Sequence, residues 1–371
     1  MNRIQKFLPI NDWSISAERP FLIAGPCGVE SEEQIYSVAT DLAKFGVNVL
    51  RGGIWKPRTR PDSFQGIGSI GLSWLKKAGL ENGMSVTTEV ADPSHVEDAL
   101  KAGVDMLWIG ARTTVNPFLV QRLADSLHGV DVPVLIKNPV IPDLELWVGA
   151  LERFQQAGIS RIMAVHRGFS SSERSRFRNA PQWPIPIELR LRYPTLPIIC
   201  DPSHIAGTNQ LVGSVAQTAM DLDYDGLMVE VHPDPSVALS DKSQQLTPAS
   251  FSRLLSSLVL RTNDFKDVIS KSKVEELRSS IDEVDRQLVL HFAKRMELSK
   301  EIGAIKKEND VTIYQLKRWS DIVSSRPEWA VESGLNRDFI RKIFEIIHEE
   351  SIHQQNEVMN HDKMQGEQTT H

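Results

Sequence analysis

The sequence predicts an α/β chain: a (β/α)8 barrel followed by a smaller all-α unit. Three observations predict it. Short apolar segments recur eight times in the first 260 residues, their starts roughly 29 residues apart, with helix-like stretches between them. A reactive or cationic residue follows each segment. Beyond about residue 270 the short runs give way to a three-and-four apolar repeat.

The strand segments are Phe21–Ala24, Val47–Leu50, Ser85–Thr88, Met106–Ile109, Val134–Ile136, Arg161–Val165, Pro197–Ile199 and Gly226–Val229. Glu32–Lys44, Asn116–Leu127 and Leu144–Gln156 read as helices in the gaps. Even spacing over eight strands favours closure into a barrel over a doubly wound open sheet. Residues 263–273 are polar and read as a linker running into a helix. From there Leu277, Ile281, Val284, Leu288, Leu298, Ile302 and Ile305 keep helical spacing, with no proline and Gly303 the one interior glycine. That is one long helix with a coiled-coil-like seam, which needs partner helices or a partner chain. A shorter helix near Tyr314–Ser324 and another from Arg337 to about Glu357 complete the unit. The expected domains are therefore 1–262 and 274–357, with a polar, disordered tail over 358–371.

The chain has 371 residues, 41% of them hydrophobic and 24% charged, the mix of a globular protein. Basic and acidic residues number 42 and 48, and neither domain is basic, which argues against nucleic acid as a partner. Two cysteines, Cys27 and Cys200, cannot build a disulfide framework and suit a reducing compartment. No apolar run reaches membrane-spanning length and the first residues do not read as a secretion signal, so the expected location is the cytoplasm.

The residues just after the strands are Cys27, Arg51, Glu89, Arg112, Lys137, Arg167, His204 and Glu230. Barrel active sites form at the C-terminal strand ends, so these residues should share one rim. Arg51, Lys56, Arg58, Arg112, Lys137 and Arg167 form a cationic set with no matching acids, which calls for substrates bearing phosphate and carboxylate. Backbone amides of Gly110 and Ala111 beside Arg112 suit a phosphate. Cys27, His204, Glu230 and Asp241 offer a thiolate, an imidazole and two carboxylates, a ligand set for Mn, Fe, Co or Zn rather than Mg. Cys200, inside an apolar strand, reads as core.

"GPC" (Gly25–Cys27), "RGGIWKPRT" (Arg51–Thr59), "GARTT" (Gly110–Thr114), "IKNP" (Ile136–Pro139), "HRG" (His166–Gly168), "DPSH" (Asp201–His204) and "MVEVH" (Met228–His232) together resemble a 3-deoxy-D-arabino-heptulosonate 7-phosphate (DAHP) synthase. The likeness is to the short type that shares its barrel with 3-deoxy-D-manno-octulosonate 8-phosphate synthase. It implies condensation of phosphoenolpyruvate with erythrose 4-phosphate. Arg51, Lys56, Gly110, Ala111, Arg112, Lys137 and Arg167 would hold phosphoenolpyruvate. Lys56, Pro57, Arg58, Thr59 and Asp241 would hold the aldehyde, and Glu89 with Lys137 would orient the water. Cys27, His204, Glu230 and Asp241 would bind the metal, manganese first, with cobalt, iron or zinc as alternatives. The octulosonate synthases resemble "KANR" where Lys56–Thr59 reads "KPRT", which favours the four-carbon aldehyde. Only about 20 residues precede the first strand, so feedback control is expected from elsewhere in the chain.

Arg295 interrupts the long apolar seam, one heptad from Leu288 and from Ile302. A buried arginine there needs an anion; the bland readings are snorkelling or pairing with Glu349 or Glu350. Lys306 falls on the same face. Arg278 lies 17 residues before Arg295, about 25 Å along a helix, so it can reach the same small ligand only from a second protomer. The segments Leu277–Lys306, Tyr314–Trp319 and Ile346–Gln355 resemble the all-helical chorismate mutases. The resemblance implies a homodimer in which Arg278, Arg295, Lys306, Gln315, Arg318, Ser351 and Gln355 line a site that converts chorismate to prephenate, with Lys306 and Gln355 on the ether oxygen. Trp319 stands where a glutamate is often found, Gln315 where an aspartate is, and Pro327 should interrupt the middle helix. The alternative reading makes the helical unit a weakly catalytic regulator of the barrel.

Overall fold

The computed structural model describes residues 7–13, 19–56, 62–171, 175–262, 265 and 267–367, with side chains to residue 360. The chain divides into two compact units, 1–263 and 264–371. In the first, β1 (Phe21–Gly25), β2 (Val49–Arg51), β3 (Ser85–Val90), β4 (Met106–Ile109), β5 (Val134–Lys137), β6 (Ile162–His166), β7 (Ile198–Cys200) and β8 (Gly226–Glu230) are all parallel. Neighbours in sequence are neighbours in space, and β8 closes on β1 with Phe21 opposite Gly226. The expected strand set is reproduced, with ends moved by one or two residues.

Period-two alternation explains both the core and the mouth. Phe21, Ile23, Val49, Met106, Trp108, Leu135, Met163, Val165, Ile199 and Met228 point inward and fill the barrel. Their neighbours point outward onto the surrounding helices, as with Leu22, Ala24, Leu50, Ile136 and Val229. The next inward position along β2, β5 and β8 is Arg51, Lys137 and Glu230. Beyond β6 and β7 it is Arg167 and Asp201. The inward stripe thus turns from apolar to charged at one level of the barrel.

The second unit departs from expectation at three places. Its long helix, Val268–Glu308, begins inside the expected linker because Asp267 caps it, accepting from Ser270 N–H at 2.7 Å. The middle helix, Leu316–Glu332, runs through Pro327 instead of breaking there. Burial of Ile322, Pro327 and Ala330 on one face offsets the roughly 3 kcal/mol that an interior proline costs. The last helix, Arg337–Glu367, continues ten residues past Glu357 into the stretch expected to be disordered, where polar composition supplies no proline to stop it. It packs on both the others. Among the described residues, no helix is long and apolar enough to cross a membrane.

Candidate active sites

At the barrel mouth, Lys56, Glu89, Gly110, Ala111, Arg112, Lys137, Arg167, His204 and Asp241 line one cleft, joined by Val140. Arg51, Cys27 and Glu230 lie beneath it, fully or almost fully buried. A Cβ at position 110 would lie 2.0 Å from Glu89 Oε1, so Gly110 leaves the Glu89 carboxylate its place in the cleft. Trp108 floors the site, 5.0 Å below the Arg51 guanidinium and 5.7 Å below Lys137 Nζ. Pro57, Arg58 and Thr59 lie outside the described residues.

Acids accompany the cations, contrary to the expectation of an unmatched set. Arg51 Nη2 donates to Glu230 Oε1 at 3.1 Å, and Lys137 Nζ to Asp201 Oδ2 at 2.7 Å. Among the described residues, Arg51 Nε and Nη1 nevertheless have no partner although both are buried. Burial opposes the Arg51 charge, but Glu230 and Asp201 outweigh it and hold its pKa above the usual value. Burial likewise opposes the Lys56 ammonium, yet Cys27, Glu89 and Glu230 keep it above the usual value. The balance reverses at Lys137, which burial holds below its ordinary range despite Asp201. Burial also brings Arg167 down to about 10.

Ligand atoms of Cys27, Glu230 and Asp241 lie within 4.8 Å of one another. His204 Nε2 stands 3.7 Å from Glu230 Oε1, and its Nδ1 lies 2.8 Å from Asp201 Oδ2. Burial, then Glu230, pushes the Cys27 thiol up to about 12, so the protein alone keeps it protonated and donating to Asp241 Oδ2 at 3.2 Å. Burial raises the Glu230 carboxyl, but His204 and Arg51 overcome it and hold the group ionised. Buried acids beside a neutral thiol form a site whose charge a divalent cation would balance.

Sequence reasoning missed Asp201, Arg178 and Asn179. Asp201 was findable: it lies two positions beyond the inward-facing Ile199. Arg178 and Asn179, from the segment after β6, carry no such signal. Arg178 donates to Asp241 at 2.9 Å and to Gln244 at 2.7 Å, and Gln244 donates to Glu230 at 2.8 Å. Asn179 accepts from Arg167 at 2.8 Å and donates to the His204 carbonyl at 2.6 Å.

With this geometry in place, the DAHP synthetase I family model matches residues 12–266. The chain belongs to that family. The chorismate mutase type II model matches residues 277–356, so the chain joins a DAHP synthase barrel to a chorismate mutase domain. A phospho-2-dehydro-3-deoxyheptonate aldolase from Thermotoga maritima is 35% identical over 237 residues, 64% of this chain and 68% of that one. A 2-dehydro-3-deoxyphosphooctonate aldolase from Syntrophotalea carbinolica is 26% identical, covering 64% and 90%. The crystal structure of the Thermotoga DAHP synthase aligns with a TM-score of 0.58 at 34% identity, covering 64% of this chain and 67% of that one.

In the mutase domain, Arg295 donates to the Ile347 carbonyl at 3.3 Å and to Ser351 Oγ; neither Glu349 nor Glu350 pairs with it. Burial, with Arg326 and Arg318 nearby, holds Arg295 below its usual value. Lys306 Nζ donates to Gln355 Oε1 at 3.0 Å and to the Ile313 carbonyl at 2.5 Å, and burial holds it below its usual value too. Gly303 permits this approach, since a Cβ there would sit 3.1 Å from Gln355 Cα. Arg318 and Gln315 are exposed, Gln315 as the residue preceding the middle helix. Arg278 is not brought to this pocket; it is exposed and pairs with Glu275 at 2.6 Å.

Proposed function

We propose that the barrel condenses phosphoenolpyruvate with erythrose 4-phosphate and water to give DAHP and phosphate. The two buried nitrogens of Arg51 carry this reading, because they suit a carboxylate and no acid among the described residues pairs with them. Arg51 and Lys56 hold the carboxylate. Arg112, Lys137 and Arg167, with the amides of Gly110 and Ala111, hold the phosphate. Glu89 and Lys137 line the same cleft, and burial holds Lys137 below its usual range. This pair orients the water that adds at C2 and handles its proton. Pro57, Arg58, Thr59 and Asp241 take the aldehyde substrate.

Cys27, His204, Glu230 and Asp241 would hold a divalent ion, manganese first among Mn, Co, Fe and Zn. Bound there, it would supply Lewis-acid polarisation of the aldehyde carbonyl. Condensation measured with chelator and then with each metal added back tests this. Activity indifferent to chelation rejects the metal, and turnover of arabinose 5-phosphate in place of erythrose 4-phosphate rejects the choice of aldehyde.

The helical domain converts chorismate to prephenate in a homodimer, where Arg278 of one copy joins Arg295, Lys306, Arg318, Ser351 and Gln355 of the other. Exposed Leu277, Ile281, Val284 and Leu288 on the long helix support a second copy as its cover. Prephenate or chorismate bound there inhibits the barrel, which fits a cytoplasmic enzyme at the head of aromatic amino-acid biosynthesis. A mainly regulatory, weakly catalytic helical domain is the competing reading, favoured by Trp319. No loss of chorismate absorbance above the uncatalysed rate would leave only that reading.

A further inference from the structure

His348 lies on the last helix, three residues before Ser351 and seven before Gln355, so the three share one helix face. Ser351 and Gln355 receive Arg295 and Lys306 from the long helix, which makes this the face turned toward the mutase cations. The His348 ring stacks on the Trp319 indole, centroids 4.3 Å apart and planes 19° from parallel. Tyr314 borders it at 6.2 Å and 59°. Stacking fixes the plane of the imidazole, and its Nε2 is buried with no hydrogen-bond partner among the described residues. A buried polar nitrogen is expensive to leave unpaired, and a ligand is one way to pair it. Burial, then Arg295 and Lys306, keep the imidazole less basic than usual, with Glu349 acting the other way. The ring is therefore neutral at pH 7, poorly suited to gripping an anion and well suited to a group that both donates and accepts.

Chorismate presents two carboxylates, an ether oxygen and a ring hydroxyl. The arginines match the carboxylates, and Lys306 with Gln355 matches the ether. The hydroxyl is left. We propose that His348 is a specificity-determining residue of this pocket, its Nε2 hydrogen-bonding the ring hydroxyl of chorismate while Trp319 holds the imidazole in place. The proposal rests on the mutase reading above. It gives Trp319 a supporting role behind the contact in place of the contact itself.

The test compares chorismate with the analogue bearing hydrogen in place of that hydroxyl, using the full-length chain and its H348L and H348Q variants. H348L should lower kcat/KM for chorismate about tenfold and change the analogue by less than about twofold. H348Q, which retains a donor and an acceptor, should recover most of the loss. Equal losses on both substrates, or no loss on chorismate, overturn the proposal. The barrel's condensation rate in the same samples checks folding, and H348M gives the same comparison if H348L does not fold. Failure of the unsubstituted chain to consume chorismate would instead remove the mutase reading, and this contact with it.

Discussion

The barrel and the helical domain hold their cations in opposite ways. In the barrel, Arg51 and Lys137 are buried and already paired with Glu230 and Asp201. In the helical domain, among the described residues, Arg295 meets only a carbonyl and a hydroxyl, and its charged neighbours Arg318 and Arg326 are of like sign. Fixed acids hold the barrel's charges in place before any substrate arrives. The helical pocket leaves its charges mutually repelling until a dianion enters, so more of its binding energy should come from the ligand. Rigid strand ends permit the first arrangement; three packed helices with a solvent-facing seam produce the second.

Four changes break or sharpen this contrast. Cys27→Ala should abolish condensation while chorismate turnover stays within about twofold of the parent, as two independent sites require. Equal loss of both activities would mean a folding defect. Arg295→Leu should cut mutase activity by about a hundredfold or more and spare condensation, as read from phosphoenolpyruvate consumption. The same variant should make condensation indifferent to prephenate. Retained inhibition would place the effector elsewhere. Mixing inactive Arg278→Ala and Arg295→Ala chains should restore about one quarter of the parental mutase activity, because half the random dimers are mixed and each holds one intact site. No recovery after exchange would show that Arg278 does not act across the dimer.

The smallest effect concerns His166, behind the barrel wall. Its Nε2 lies 2.6 Å from the Pro181 carbonyl, its Nδ1 lies 3.0 Å from the Tyr224 hydroxyl, and burial lowers its pKa to about 3. The unfolded chain takes up a proton below pH ~6.5 that the folded one refuses until near pH 3, so stability falls as pH drops through that window. At pH 5 the cost is about 2 kcal/mol. His166→Gln should flatten the dependence of urea unfolding free energy on pH between 6.5 and 3, and an unchanged slope would discard the assignment.

Most of the barrel was legible because two periodicities coincide in it: apolar runs mark the strands, and the residue after each run marks the mouth. The matching acids were harder to see. In sequence Glu230 looks like a metal ligand alone and Asp201 like one more residue of "DPSH", although each also neutralises a cation. Arg178 and Asn179 were invisible because a loop residue's reach depends on packing and not on spacing. In the helical domain, composition misled at the ends. A single Asp267 cap extended one helix backward, and tertiary burial carried another through Pro327.

The barrel's floor and its chemistry belong to one continuous stripe of side chains. If a strand settled against its neighbour one residue out of step, that stripe would turn to the outside. The molecule would then lose its filling and its reactive charges together, so a misassembled barrel could not persist as a half-working catalyst. Mutations that loosen strand pairing should consequently surface as less enzyme of normal quality, seldom as a full complement of altered enzyme.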